Sequence, residues 1–120
     1  MNEIYITNTE TTAGIGDGSV LPLGNVVKKC GRAFSVDGNR IKTIQIGTYH
    51  YNACISVRAD FPVRVNALCD DVVVASATGK DVIPMAFDVG KGAVWFSVES
   101  IQEFTLVWFA VSAFGYRLRM

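Results

Sequence analysis

The sequence is short of charge: eleven basic residues balance eleven acidic ones, and charged residues make up 18% of the chain. Neither sign forms a run longer than Lys28-Lys29 or Asp70-Asp71. Net charge therefore gives no long-range pull towards nucleic acid or an anionic membrane surface, and neither is expected as a partner. Histidine is nearly missing. The one histidine, His50, has no Ser, Cys or Asp at the spacing of a catalytic motif, so no catalytic residue and no enzymatic activity are expected. Cys30, Cys54 and Cys69 share no C-x-x-C spacing, which argues against a disulfide framework or a zinc site. They are expected to be reduced, mostly buried small hydrophobes, and no metal or cofactor is expected.

Other signatures are absent too. The glycine-rich GIGDG at 14–18 lacks the third glycine and the strand-to-helix setting of a dinucleotide site, and no Gly-Lys-Ser/Thr follows it. Its expected role is a turn. The first residues, MNEIYITNTETT, have no basic segment followed by an apolar run, so no secretory signal is expected. The longest apolar stretch, Phe104 to Gly115, is too short to cross a bilayer as a helix and is rich in β-formers, so no membrane role is expected. Helical periodicity never lasts beyond two turns.

What the chain does have is apolar residues, half of its 120. That is more buriable surface than a small soluble monomer needs, and it predicts an oligomer. The length fits one domain, with residues 1–25 as an amino-terminal arm or first strands carrying a Gly-rich loop and 26–120 as the main body. Alternation with a period of two predicts strands over Ile4 to Asn8, Val20 to Lys29, Ala33 to Val36, Arg40 to Ile46 and Thr48 to Arg58. Further strands are expected over Val63 to Cys69, Val72 to Ala77, Val82 to Val89 and Ala93 to Glu99, with one or two more in Phe104 to Met120. Asp37-Gly38-Asn39 supplies a hairpin turn between two of them. The fold class is all-β, a sandwich or jelly roll of about eight to ten antiparallel strands.

Two segments describe the faces. Along GTYHYNACISV, Tyr49, Tyr51, Ala53, Ile55 and Val57 form a core row, while Thr48, His50, Asn52, Cys54 and Ser56 point the other way. Strict alternation along the carboxy-terminal segment sets Phe104, Leu106, Trp108, Ala110 and Ser112 against Thr105, Val107, Phe109, Val111 and Ala113. Both rows are largely apolar. Burial of both faces needs a second covering surface, most simply another copy of the chain. Beyond Gly115 the aromatic and aliphatic row of Phe114, Tyr116, Leu118 and Met120 is expected inward, with Arg117 and Arg119 outward.

The pattern Gly47-x-Tyr49-x-Tyr51, continuing through Ile55 and Val57 to VRVNAL, the pair Asp70-Asp71 and VVVASA, resembles the jelly-roll family of tumour-necrosis-factor ligands and complement globular heads. The ending Ala113-Phe114-Gly115-Tyr116-Arg117-Leu118 resembles that family's last strand. The likeness covers about Phe34 to Met120, and it implies a compact homotrimer with aromatic residues around the threefold axis. The expected subunit-interface residues are Tyr49, Tyr51, Phe104, Leu106, Trp108, Phe109, Val111, Phe114 and Tyr116. A Gly-rich lead such as GDGSVLPLGNVVKKCGRAF resembles small structural proteins of tailed bacteriophages and prophages. That resemblance implies a homotrimeric virion component, a head decoration, head fibre or tail-associated protein, made in the host cytoplasm. Its partners would be itself and other virion proteins, a major capsid or tail protein among them. The alternative is a glycan- or protein-binding module of a phage tail or bacterial surface, acting through loops 60–62 and 78–81.

Overall fold

A computed structural model describes residues 2–116, with Tyr116 described in its backbone alone. Eleven strands are found among the described residues: β1 (Asn2–Asn8), β2 (Thr12–Ile15), β3 (Asn25–Cys30), β4 (Phe34–Asp37), β5 (Arg40–Thr43), β6 (Thr48–Arg58), β7 (Val63–Cys69), β8 (Val72–Gly79), β9 (Val82–Val89), β10 (Ala93–Glu99) and β11 (Phe104–Tyr116). They form two antiparallel sheets. The first runs β3-β1-β11-β6-β9, with β2 also paired to β11, and the second runs β4-β5-β10-β7-β8. Consecutive strands mostly alternate between sheets or ends of a sheet, which gives the jelly roll. The all-β expectation holds, and β6, β7, β9 and β10 begin and end where the alternation places them.

The core lies between the sheets. β6 contributes Tyr49, Tyr51, Ala53, Ile55 and Val57, all buried as the period of two requires, and β9 contributes Ile83, Met85, Phe87 and Val89. Aromatic rings organise its centre: Tyr51 stacks on Phe87 with centroids 5.2 Å apart, and Phe96 meets Phe109 edge-on at 5.2 Å. Pro84 sits on β9, where a missing N–H does no harm because β9 is the sheet's last strand.

Three features depart from the sequence reading. The Gly-rich stretch is tied into both sheets, which shortens the strand expected over Val20 to Lys29. Residues 12–15 form β2 and continue the line of β1 along β11, while Gly18–Leu21 pairs with β10 through Gly18 N–H to Val98 O and Leu21 N–H to Phe96 O, each 2.8 Å. That segment covers the part of β10 left open by β5, which reaches only Ala93 and Val94. Gly24 then passes so close to the Thr7 carbonyl that a Cβ there would collide with backbone, which is why the chain carries glycine at this crossing. The strand expected over Val20 to Lys29 consequently shrinks to β3, with Val20 left as an isolated bridge to Ser97.

The second departure is a bulge in β11. Leu106 pairs with Val57 and Trp108 pairs with the next residue, Ser56, so Val107 has no opposite number on β6. The bulge exchanges the two rows. Phe104 and Leu106 are buried before it and Phe109, Val111 and Ala113 after it, so one inward row uses residues from both rows of strict alternation. The third is the cysteines: Cys30 is exposed, and Cys54 and Cys69 are half-buried, all three free, because β3 is an edge strand and Cys54 faces outward.

Candidate functional site

The outer face of the first sheet is built from the residues that alternation turns away from the core. Tyr5 comes from β1, Asn52 and Cys54 from β6, Pro84 and Ala86 from β9, and Ala110 and Ser112 from β11. Registers place Ser112 opposite Asn52, and Asn52 opposite Ala86, so small side chains meet across three strands. They leave a shallow depression of about 390 Å³, lined by Tyr5, Asn52, Cys54, Ala86, Ala110 and Ser112 among others. No charged side chain lines it. Burial pushes the Cys54 thiol above its ordinary value, so it stays protonated and unreactive at neutral pH.

Charge appears at the rim. One row across the sheet reads Glu3, Phe114, His50, Asp88. The imidazole Nδ1 lies 2.7 Å from Asp88 Oδ1, and the Phe114 ring packs on it from the other side with centroids 5.3 Å apart. Glu3 forms an ion pair with Lys28 of β3 at 2.5 Å. His50 thus has a carboxylate partner after all, 38 residues away in sequence and directly opposite in the ladder. Sequence spacing could not reveal it, since the pairing exists only through the β6–β9 register.

The structure sorts the expected interface residues into two sets. Tyr49, Tyr51, Phe104, Leu106, Phe109 and Val111 lie in the chain's own core, buried between the sheets, and present no surface to a neighbour. Trp108 and Phe114 stand half-buried on the outer face, so Phe114 points outward where the sequence reading turned it in. The Tyr116 backbone pairs with Thr48, and its side chain, with residues 117–120, lies outside the described residues. The apolar row that seemed to need a covering subunit is covered by the second sheet once the bulge at Val107 is recognised. The concave centre of the outer face leaves no trace in the sequence pattern, because it is made largely of Ala, Ser, Asn and Cys, types that carry little hydrophobic signal.

A second uncovered surface lies beside it. β8 and β9 are the last strands of their sheets on the same side of the sandwich, and Val72, Val73, Val74 and Val82 are exposed there. Val72 is 64% exposed in a strand edge with open backbone groups, a surface that proteins normally blunt or cover. Loops 60–62 and 78–81 cluster near this edge's far end, where Asp81 O accepts from Val57 N–H.

The opposite sheet is unlike the first on its outer face. Asp70 and Asp71 form a two-residue turn, both at positive φ (50° and 67°), between β7 and β8. Asp70 Oδ1 accepts the Ala93 N–H at 2.9 Å, and Asp71 Oδ1 accepts the Trp95 indole N–H at 3.2 Å. Among the described residues no group of three or more His, Cys, Asp or Glu is arranged to hold a metal ion, and no helix is long and apolar enough to cross a membrane.

No family model and no curated sequence matches the chain. Solved structures do. The globular domain of the zebrafish complement 1qA protein superposes with a TM-score of 0.73 at 13% identity, covering 98% of this chain and all of that one. The PRD1 vertex protein P5 gives 0.74 at 8% identity over 97% of each chain. Murine APRIL, at pH 8.5, gives 0.67 at 10% identity over 92% of this chain and 97% of that one. The chain therefore has the jelly-roll fold shared by the complement globular head, the tumour-necrosis-factor ligand APRIL and a phage vertex protein.

Proposed function

We propose that this protein is a non-enzymatic structural component that works as a homotrimer. The observation that carries the reading is the uncharged, small-residue face across β11, β6 and β9, with charged groups held at its rim. An outer sheet face left to solvent normally alternates to polar and charged side chains. Here the centre offers Tyr5, Asn52, Cys54, Pro84, Ala86, Ala110 and Ser112 to water, with no charged side chain among them. The projecting valines of the β8–β9 edge are a surface of the opposite shape, and a depression on one copy with a ridge on the next makes a head-to-tail contact. Such a contact closes into a ring when its rotation is one third of a turn, and three copies is the number the family resemblance implies.

Within that role, the likeness to the PRD1 vertex protein supports a place on a virion, as a decoration or tail-associated trimer bound to other virion proteins. Mass in solution tests the first level: a species three times 13.0 kDa is expected at micromolar concentration, and a clean monomer overturns the trimer. The second level is tested by asking whether purified particles contain the chain, in copy numbers divisible by three.

A further inference from the structure

We infer that the His50–Asp88 pair makes the trimer proposed above sensitive to pH, tightening the contact between copies in mild acid and loosening it in mild alkali. This rests on the trimer reading and names what regulates the face that the trimer covers.

The pair sits at the edge of that face. Ser112, Asn52 and Ala86 form one outward row across β11, β6 and β9, and Phe114, His50 and Asp88 form the next, roughly 7 Å along the strands. Phe114 and Ser112 also line a second hollow of about 310 Å³ that continues the depression towards Glu3 and Lys28. A copy that covers the small-residue centre therefore comes down beside His50 as well. The imidazole is the more enclosed partner, with 26% of its side chain exposed against 59% for Asp88.

The charged groups around the imidazole are few. From β9 comes Asp88, with Oδ1 2.7 Å from Nδ1. From β11 comes the uncharged Phe114 ring, packed on the imidazole with centroids 5.3 Å apart. Beyond that ring lies Glu3 of β1, whose carboxylate is taken by Lys28 of β3. On β6 itself the flanking outward residues are the neutral Thr48 and Asn52. Further in stand Tyr5 of β1 and Cys54 of β6, and phenols and thiols release their protons only in alkali. Lys91 lies in the turn after β9, and among the described residues Asp88 is paired with His50 and not with that lysine. The row is thus balanced at Glu3 by Lys28 whatever the pH, and at Asp88 only when His50 is protonated.

Covering the face acts on that condition. Histidine is the side chain that changes charge between pH 5 and 8. Protonated, it makes the contact with Asp88 a charge-assisted hydrogen bond between opposite charges. Neutral, it leaves the carboxylate carrying a whole charge. Water screens that charge on an open face, but the valine side chains of the β8–β9 edge bring no charge and no donor to replace the water. Covering a lone carboxylate costs more than covering a neutralised pair. The closed ring therefore holds the His50 proton more tightly than the free chain does, and by linkage each contact takes up a proton as it forms. Assembly is favoured in mild acid and loses that support as pH rises through the histidine range.

The test is the mass of the full chain on dilution, by light scattering at steps from pH 5.5 to 8, with circular dichroism at each pH to follow the fold. The concentration at which the trimer half-dissociates is expected to rise by roughly tenfold or more across that range. His50→Gln is expected to flatten the profile. Asp88→Asn is expected to reverse it, since the imidazolium is then the unbalanced charge under the cover and the trimer becomes weakest in acid. A wild-type trimer whose midpoint does not move overturns the switch and leaves the trimer standing, as does an Asp88→Asn profile of wild-type sign. A monomer at every pH overturns the trimer reading and the switch with it, and mass alone tells that outcome from the other two.

Discussion

Tyr49 and Tyr51 stand two residues apart in the same inward row of β6, yet their hydroxyls meet opposite fates. Tyr49 donates to the Gln45 carbonyl at 2.6 Å, while Tyr51 holds its hydroxyl buried with no hydrogen-bond partner among the described residues. Burial raises both above the ordinary tyrosine value, Tyr51 by far the more.

That orphan predicts a stabilising substitution. Tyr51→Phe keeps the stack on Phe87 and removes a buried group whose desolvation costs about 1–3 kcal/mol, so stability is expected to rise by about 1 kcal/mol. The pH dependence follows from the raised value. The folded chain keeps the Tyr51 proton where the unfolded chain, with a value near 10.0, has released it, so this contribution is complete below pH 10 and is lost as pH climbs above it. Urea midpoints from pH 7 to 11 check this. Parallel alkaline losses in wild type and Tyr51→Phe would assign the slope elsewhere.

Phe109 and Ser112 separate folding from assembly. Phe109→Asp puts an unpaired carboxylate between the sheets against Phe96 and is expected to leave the chain unfolded by circular dichroism. Ser112→Arg on the outer face is expected to keep the fold and reduce the mass from trimer to monomer. A folded Phe109→Asp that merely dissociates would show that β11 lacks the bulge and presents its rows by strict alternation.

Thiol reactivity reports on the same face. With iodoacetamide at pH 8, Cys30 on the exposed edge is expected to react first, and Cys54 and Cys69 slowly, since burial raises both thiols. In Ser112→Arg, Cys54 is expected to speed up while Cys69 does not. Mass spectrometry of the modified peptides distinguishes the three. Equal rates at Cys30 and Cys54 in the native protein mean an uncovered face.

The turn between β7 and β8 rests on Asp70. Asp70→Ala loses both the acceptor for the Ala93 N–H and the tolerance of aspartate for positive φ, and is expected to lower stability by about 1–2 kcal/mol. Asp70→Asn keeps the turn chemistry and is expected to lose less than half as much. Thermal unfolding of the pair is the measurement, and equal losses would leave the side-chain bond without a role.

Strands buried on one face announced themselves. Along Val82–Val89 every second residue enters the core, and the written alternation matches the burial residue for residue. What could not be read was whatever breaks that rhythm. Thr12–Ile15 is too short and too glycine-rich to show a period, and Val107 shifts the parity of β11 with no glycine or proline to mark the place. Two apolar rows of opposite parity in one strand are ambiguous between a strand covered on both faces and a bulged strand covered on one, and only the β6 register resolves it. The outer face itself was silent for a different reason. A surface made concave by alanine and serine is defined by missing volume, and volume is a property of three strands in register.

β11 is the middle of its sheet and comes last in the described chain, with β1 and β2 on one side and β6 on the other. Without β11, β1 has only β3 beside it and β6 only β9, so the first sheet stands as two separate halves. The first sheet therefore closes in one step when β11 joins its two halves, and truncation anywhere in β11 should leave the chain dependent on chaperones.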